Sequence, residues 1–95
     1  MITYNWNNEK NLLLKKERNF SFEQIVAHIG SGDLLDIVKH PNKAKFAHQK
    51  ILIVKIEEYV IAVPFVQNDN ERFLKTIIPR RKLTKKYLGD NHDRL

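Results

Sequence analysis

The spacing of apolar positions changes along the chain, and each change marks an element. Ile2, Tyr4 and Trp6 alternate with Thr3 and Asn5, the two-residue period of a short half-buried strand. Asn7 or Asn8 then offers a side-chain oxygen to an otherwise unpaired backbone N–H, which opens a helix. From Glu9 to Arg18 the acid comes early and Lys15, Lys16 and Arg18 come late, complementing the helix dipole. Leu12, Leu13 and Leu14 give this helix a narrow apolar stripe. Ser21-Phe22-Glu23-Gln24 forms a capping box, with Phe20 placed as a hydrophobic staple toward Ile25. Phe22, Ile25, Val26 and Ile29 recur at helical spacing until Gly30-Ser31-Gly32 stops the run.

The second half reads as strands. Leu34, Leu35, Ile37 and Val38 predict one that ends at His40-Pro41, followed by a polar loop over 40–48 bounded by His40 and His48. Lys50 to Glu57 and Tyr59 to Val66 are β-branched, aromatic-rich runs joined at Glu57-Glu58 as a hairpin. Gln67 to Asn70 is a second turn, and Arg72 to Ile78 a further strand halted by Pro79. On that strand Phe73, Lys75 and Ile77 share one face, and Leu74, Thr76 and Ile78 the other. Pro64 favours an edge position or a bulge in its run. Leu83 to Leu88 predicts a short helix with Gly89 as its stop. The order β-α-α-β-β-β-β-α predicts an α+β fold. Two N-terminal helices, near 8–18 and 22–30, pack on one face of a mainly antiparallel sheet of four to five strands.

Composition narrows the class. At 95 residues, with 42% hydrophobic and 29% charged, the chain is expected to form a single domain around one core. Its longest apolar runs fall far short of the ~20 residues that span a bilayer, and no basic segment followed by an apolar one opens the chain. The expectation is a small, soluble, cytoplasmic protein with no membrane partner. The absence of cysteine removes disulfides, thiol nucleophiles and Cys-based zinc sites. His28, His40, His48 and His92 lack metal-ligand spacing, and no phosphate-cradling glycine loop is present, so no cofactor or metal is expected.

Charge is where the sequence becomes specific. The net charge is +6, yet residues 1–71 balance nine bases against nine acids. Residues 72–87 hold Arg72, Lys75, Arg80, Arg81, Lys82, Lys85 and Lys86 with no carboxylate. Such concentration points to a polyanion-binding surface, although a solvated basic tail has the same composition. Guanidinium groups give planar, bidentate donors to phosphate oxygens and stay charged at any working pH. Tyr87 is placed either to meet a base or to pack its helix on the sheet. His40 and His48 flank their loop, and imidazole moves protons near neutral pH.

Three segments together resemble a known family. They are Tyr4-Asn5-Trp6-Asn7-Asn8-Glu9-Lys10-Asn11, Phe20-Ser21-Phe22-Glu23-Gln24, and Ile77-Ile78-Pro79-Arg80-Arg81-Lys82-Leu83-Thr84-Lys85-Lys86-Tyr87. In this order they resemble the BrnT-type toxins of bacterial type II toxin–antitoxin systems, and beyond them the RelE-like ribonuclease fold. The chain departs from the pattern in its middle, at Pro79, and at Lys86, where that family commonly has Glu. The resemblance implies a metal-independent endoribonuclease that cleaves mRNA and is neutralised by a small DNA-binding antitoxin. In-line attack of a 2′-hydroxyl on its own phosphate needs cations on the phosphorane, a base and an acid. Arg80, Arg81 and Lys75 suit the cationic role. His48, Tyr87, His40 or a lysine of lowered pKa are candidates for proton transfer. Arg72, Lys82, Lys85 and Lys86 would bind the RNA. The alternative is a non-catalytic basic module that binds RNA or DNA.

Overall fold

Asn7 opens the first helix by accepting the Lys10 N–H on its side-chain oxygen at 3.0 Å. The computed structural model describes residues 1–89; residues 90–95, with His92, lie outside the described residues. The elements run β1 (Thr3–Trp6), α1 (Asn8–Arg18), α2 (Phe22–Gly30), β2 (Leu34–Lys39), β3 (Gln49–Ile56), β4 (Tyr59–Asn68), β5 (Glu71–Leu74), β6 (Ile78–Pro79) and α3 (Arg81–Leu88). Ser21 caps α2 through Gln24 N–H at 3.1 Å, and Glu57-Glu58 turns β3 into β4 with Glu57 at a left-handed φ of 54°. The architecture is α+β.

Among the described residues the sheet has six strands, in the order β1-β5-β4-β3-β2 with β6 also on β4. The expected four to five strands become six because the run over 72–78 splits. All pairs are antiparallel except β1 with β5, which is parallel, so the sheet is mixed. The N-terminal strand enters beside β5 and runs the same way, with Thr3 N–H bonded to Asn70 C=O at 2.8 Å.

Two cores lie on opposite faces. Leu14, Phe22 and Ile25 of the first two helices pack against Leu52, Val54, Ile61, Val63, Phe65, Leu74 and Ile77. Trp6 stacks on Phe22 with ring centroids 5.7 Å apart. Burying a side chain such as Phe22 or Ile25, both 0% exposed, stabilises by about 1.5–3 kcal/mol. On the other face Ile53, Val60 and Ala62 meet Leu83, Tyr87 and Leu88 of α3. The face opposite the first two helices is therefore partly roofed by the last helix.

Several local expectations fail for tertiary reasons. Of the leucine stripe only Leu14 is buried, while Leu12 and Leu13 are 65% and 46% exposed. The second inward position of α1 is Asn11, whose Oδ1 accepts Phe22 N–H at 2.8 Å and whose Nδ2 donates to Glu23 at 2.7 Å. Pro64 sits on the central strand instead of an edge. Its carbonyl accepts Lys75 N–H at 2.8 Å, on the side where β5 has ended and β6 has not begun. A strand residue's N–H and C=O point to the same neighbour, so the missing proline donor faces a gap in the ladder. That gap also breaks the alternation expected over 72–78. Leu74 and Ile77 both enter the core under α1 and α2, although they are an odd number of residues apart. The Arg18 guanidinium donates to Ile77 C=O at this break.

A bulge at Leu35 shifts β2 against β3, from Leu34 opposite Val54 to Asp36 opposite Ile53. The extra residue turns Asp36 onto the α3 face. No helix among the described residues is long and apolar enough to cross a membrane.

Candidate nucleic-acid interface

α3 sorts its residues by spacing. Leu83, Tyr87 and Leu88 face the sheet and Thr84 is 6% exposed, while Arg81, Lys82, Lys85 and Lys86 are exposed at i, i+1, i+4 and i+5. Four cations thus form one stripe along the outer side of a helix. Arg80 is the N-cap in extended conformation with no side-chain cap, and its N–H bonds Val60 C=O at 3.3 Å. The first turn carries no acid. Arg80, Arg81 and Lys82 stand at the positive end of the helix dipole, an arrangement that opposes stability and concentrates positive potential there.

The rest of the basic stretch is distributed. Lys75 is exposed in the break after β5, its Nζ 5.4 Å from the Phe73 ring. Arg72 lies on the same face of β5 as Leu74, away from α3. Its guanidinium donates to Tyr4 Oη at 3.1 Å and to Gln67 at 3.4 Å, and stands 5.4 Å from the Phe65 ring. Seven consecutive-looking cations therefore divide between two faces of the sheet.

Tyr87 packs against the second core, and its hydroxyl donates to Asp36 at 3.1 Å. Burial first, then the hydrogen bond and charge of Asp36, hold the phenol above its ordinary pKa. It keeps its proton and its carboxylate partner.

His48 lies elsewhere, in a cleft of about 350 Å³ formed by residues 39–50, with Lys39, His40, Lys43, Phe46 and Lys50. No α3 residue lines that cleft. The structure thus brings Arg81, Lys82, Lys85 and Lys86 together beside Arg80, and separates them from His48. Asp36, the α3 contact on β2, does not line the cleft. It lies opposite Ile53 on the α3 face, while Lys39, three residues on, lies on the other face with Leu52.

Charge summed over residues 1–71 concealed a second cationic run. Residues 37–56 contain Lys39, Lys43, Lys45, Lys50 and Lys55 and no carboxylate. Counting over windows of about twenty residues exposes it. Among the described residues no group of three or more His, Asp or Glu side chains is placed to hold a metal ion. A scan of protein-family models, a search of curated proteins and a search of solved structures found no match to this chain.

Proposed function

We propose that this chain is a toxin that binds single-stranded RNA along α3 and cleaves it without a metal. The observation that carries the reading is the exposed stripe of Arg81, Lys82, Lys85 and Lys86 on a helix whose own residues include no acid, headed by Arg80 at the positive end of that helix. Phosphates spaced along a strand meet repeated cations there and release counterions on binding. In the cleavage step the 2′-oxygen loses its proton and bonds the adjacent phosphorus, while the bond to the 5′-oxygen breaks and that oxygen takes a proton from water. Products are a 2′,3′-cyclic phosphate and a 5′-hydroxyl. Arg80, Arg81 and Lys75 stabilise the phosphorane; His48, in its separate cleft, would have to be brought to the 2′-hydroxyl by the bound strand to take its proton. The RelE-like fold and the DNA-binding antitoxin belong to this same reading, with an acidic or amphipathic antitoxin segment laid over α3 to block RNA.

A second reading, a basic module that binds nucleic acid without cutting it, is favoured by the separation of His48 from α3 and by the commitment of Tyr87 to Asp36. Induction in growing bacteria, with and without the Arg80→Ala/Arg81→Ala double substitution, decides between them. Growth arrest with loss of mRNA in the wild type alone is the expected result. RNA binding without mRNA loss selects the second reading, and neither effect rejects both.

A further inference from the structure

The loop between β2 and β3 is built more tightly than a solvated connection requires. Asn42 N–H donates to His40 Nδ1 at 3.1 Å, Lys45 N–H donates to Asn42 Oδ1 at 3.2 Å, and Phe46 N–H donates to Asn42 C=O at 2.9 Å. Gln49 N–H donates to Phe46 C=O at 3.0 Å, and His40 N–H returns to Gln49 C=O at 3.3 Å. The His40 and Phe46 rings lie 4.3 Å apart between centroids. With Nδ1 used as an acceptor, the neutral His40 ring carries its proton on Nε2, which leaves that nitrogen as its donor.

Into this frame the sheet register places two like charges. Lys39 is directly opposite Lys50 on neighbouring strands, so both ammonium groups rise from the same face. Like charges in directly opposed positions destabilise a sheet. No acid between Ile37 and Ile56 in sequence relieves them, and Lys43 adds a third ammonium to the same cleft. An anion seated among Lys39, Lys43 and Lys50 removes that repulsion and gains charge-assisted hydrogen bonds. At about 350 Å³ the cleft is at the small end of ligand pockets, sized for a phosphate with its attached sugar and too small for a duplex.

We propose that the Lys39–Lys43–Lys50 cleft, flanked by His40 and His48, is a phosphate-binding site distinct from α3. The phosphate comes either from a nucleic-acid strand or from a free nucleotide; the ligand chemistry is the same. The site does not depend on cleavage, nor on α3 binding RNA.

The test is a nitrogen-15 NMR titration of the full chain at fixed ionic strength. The probes are inorganic phosphate, adenosine 5′-monophosphate and a trinucleotide RNA. Saturable shifts of the amide signals of residues 39–50 are expected. Affinity should fall about tenfold or more in Lys39→Ala/Lys50→Ala, since each charge-assisted bond is worth at least that factor. The charge-matched control Lys15→Ala/Lys16→Ala should bind as the wild type does. Tighter binding of the trinucleotide than of the monophosphate identifies a strand as the source, and equal binding a free nucleotide. Both lysines are exposed, and an unchanged spectrum away from the loop verifies that the variant folds. The proposal is overturned if no probe shifts residues 39–50 saturably. Equal binding by the folded Lys39→Ala/Lys50→Ala variant, or the same shifts with acetate, also overturns it.

Discussion

The hydroxyl of Thr84 accepts the backbone N–H of Val60 at 3.0 Å, so the last helix completes the hydrogen bonding of the sheet's central strand. It also donates to Arg80 C=O at 3.1 Å, and Arg80 N–H returns to Val60 C=O. With Val60 0% exposed, removing the hydroxyl strands a buried donor, at a cost of about 1–3 kcal/mol. Thr84→Val, close in shape, is therefore expected to lower stability by about that amount in urea unfolding. Thr84→Ser should lose less. Thr84→Val should also weaken RNA binding without altering a charge, because α3 is the element it anchors.

Tyr87 makes a pH-dependent link between α3 and β2. Its pKa is raised, by burial first and then by Asp36. Stability from this group is fully present below the ordinary tyrosine value near 10 and is lost as pH rises through the higher folded value. Ultraviolet absorbance should show one phenol ionising late, and Asp36→Asn should bring it down. Tyr87→Phe should cost about 1 kcal/mol at neutral pH and flatten the alkaline limb of the stability curve.

Asn11 ties α1 to the start of α2. Glu23 is held below the usual carboxylate range chiefly by the Asn11 amide, with Lys15, 3.6 Å away, a smaller cause. Its contribution is present above the unfolded carboxylate value and fades as pH falls through the lower folded one. Asn11→Ala leaves the buried Phe22 N–H unpaired and should destabilise by about 1–3 kcal/mol, with a shallower acid limb. Lys15→Ala should change stability by about 0.5 kcal/mol or less, since the ion pair is exposed. Urea unfolding across pH reads both.

What was legible in the sequence is what neighbouring residues decide. Asn7, Ser21 and the Glu57-Glu58 turn act within a few residues of themselves, and each is where the pattern predicts it. Pro64, Ile77 and Leu35 depend on what the next strand does. Pro64 is central because its partner strand is interrupted, Ile77 changes face at the same interruption, and the bulge at Leu35 exists only relative to β3. The candidate site divides in the same way. The stripe on α3 follows from spacing alone, but opposition of Lys39 to Lys50 is a property of register, which no local pattern contains.

That opposition has a consequence for stability. Lys50→Glu replaces a repulsive cross-strand pair with an attractive one and should raise stability by about 0.2–1 kcal/mol. Phosphate binding in the cleft should be lost in the same variant. Chemical denaturation and phosphate titration, run side by side, should therefore move in opposite directions.

Cleavage of a labelled single-stranded RNA in excess EDTA, by the wild type and by Arg80→Ala and Arg81→Ala singly, tests the central claim most directly. The wild type should cut and leave a 2′,3′-cyclic phosphate. Loss of the arginine that contacts the scissile phosphate should slow cutting by about 10²–10³, with the other variant affected less and Lys75→Ala between them. RNA left intact by the wild type, or cut at the wild-type rate by both folded arginine variants, would contradict the account.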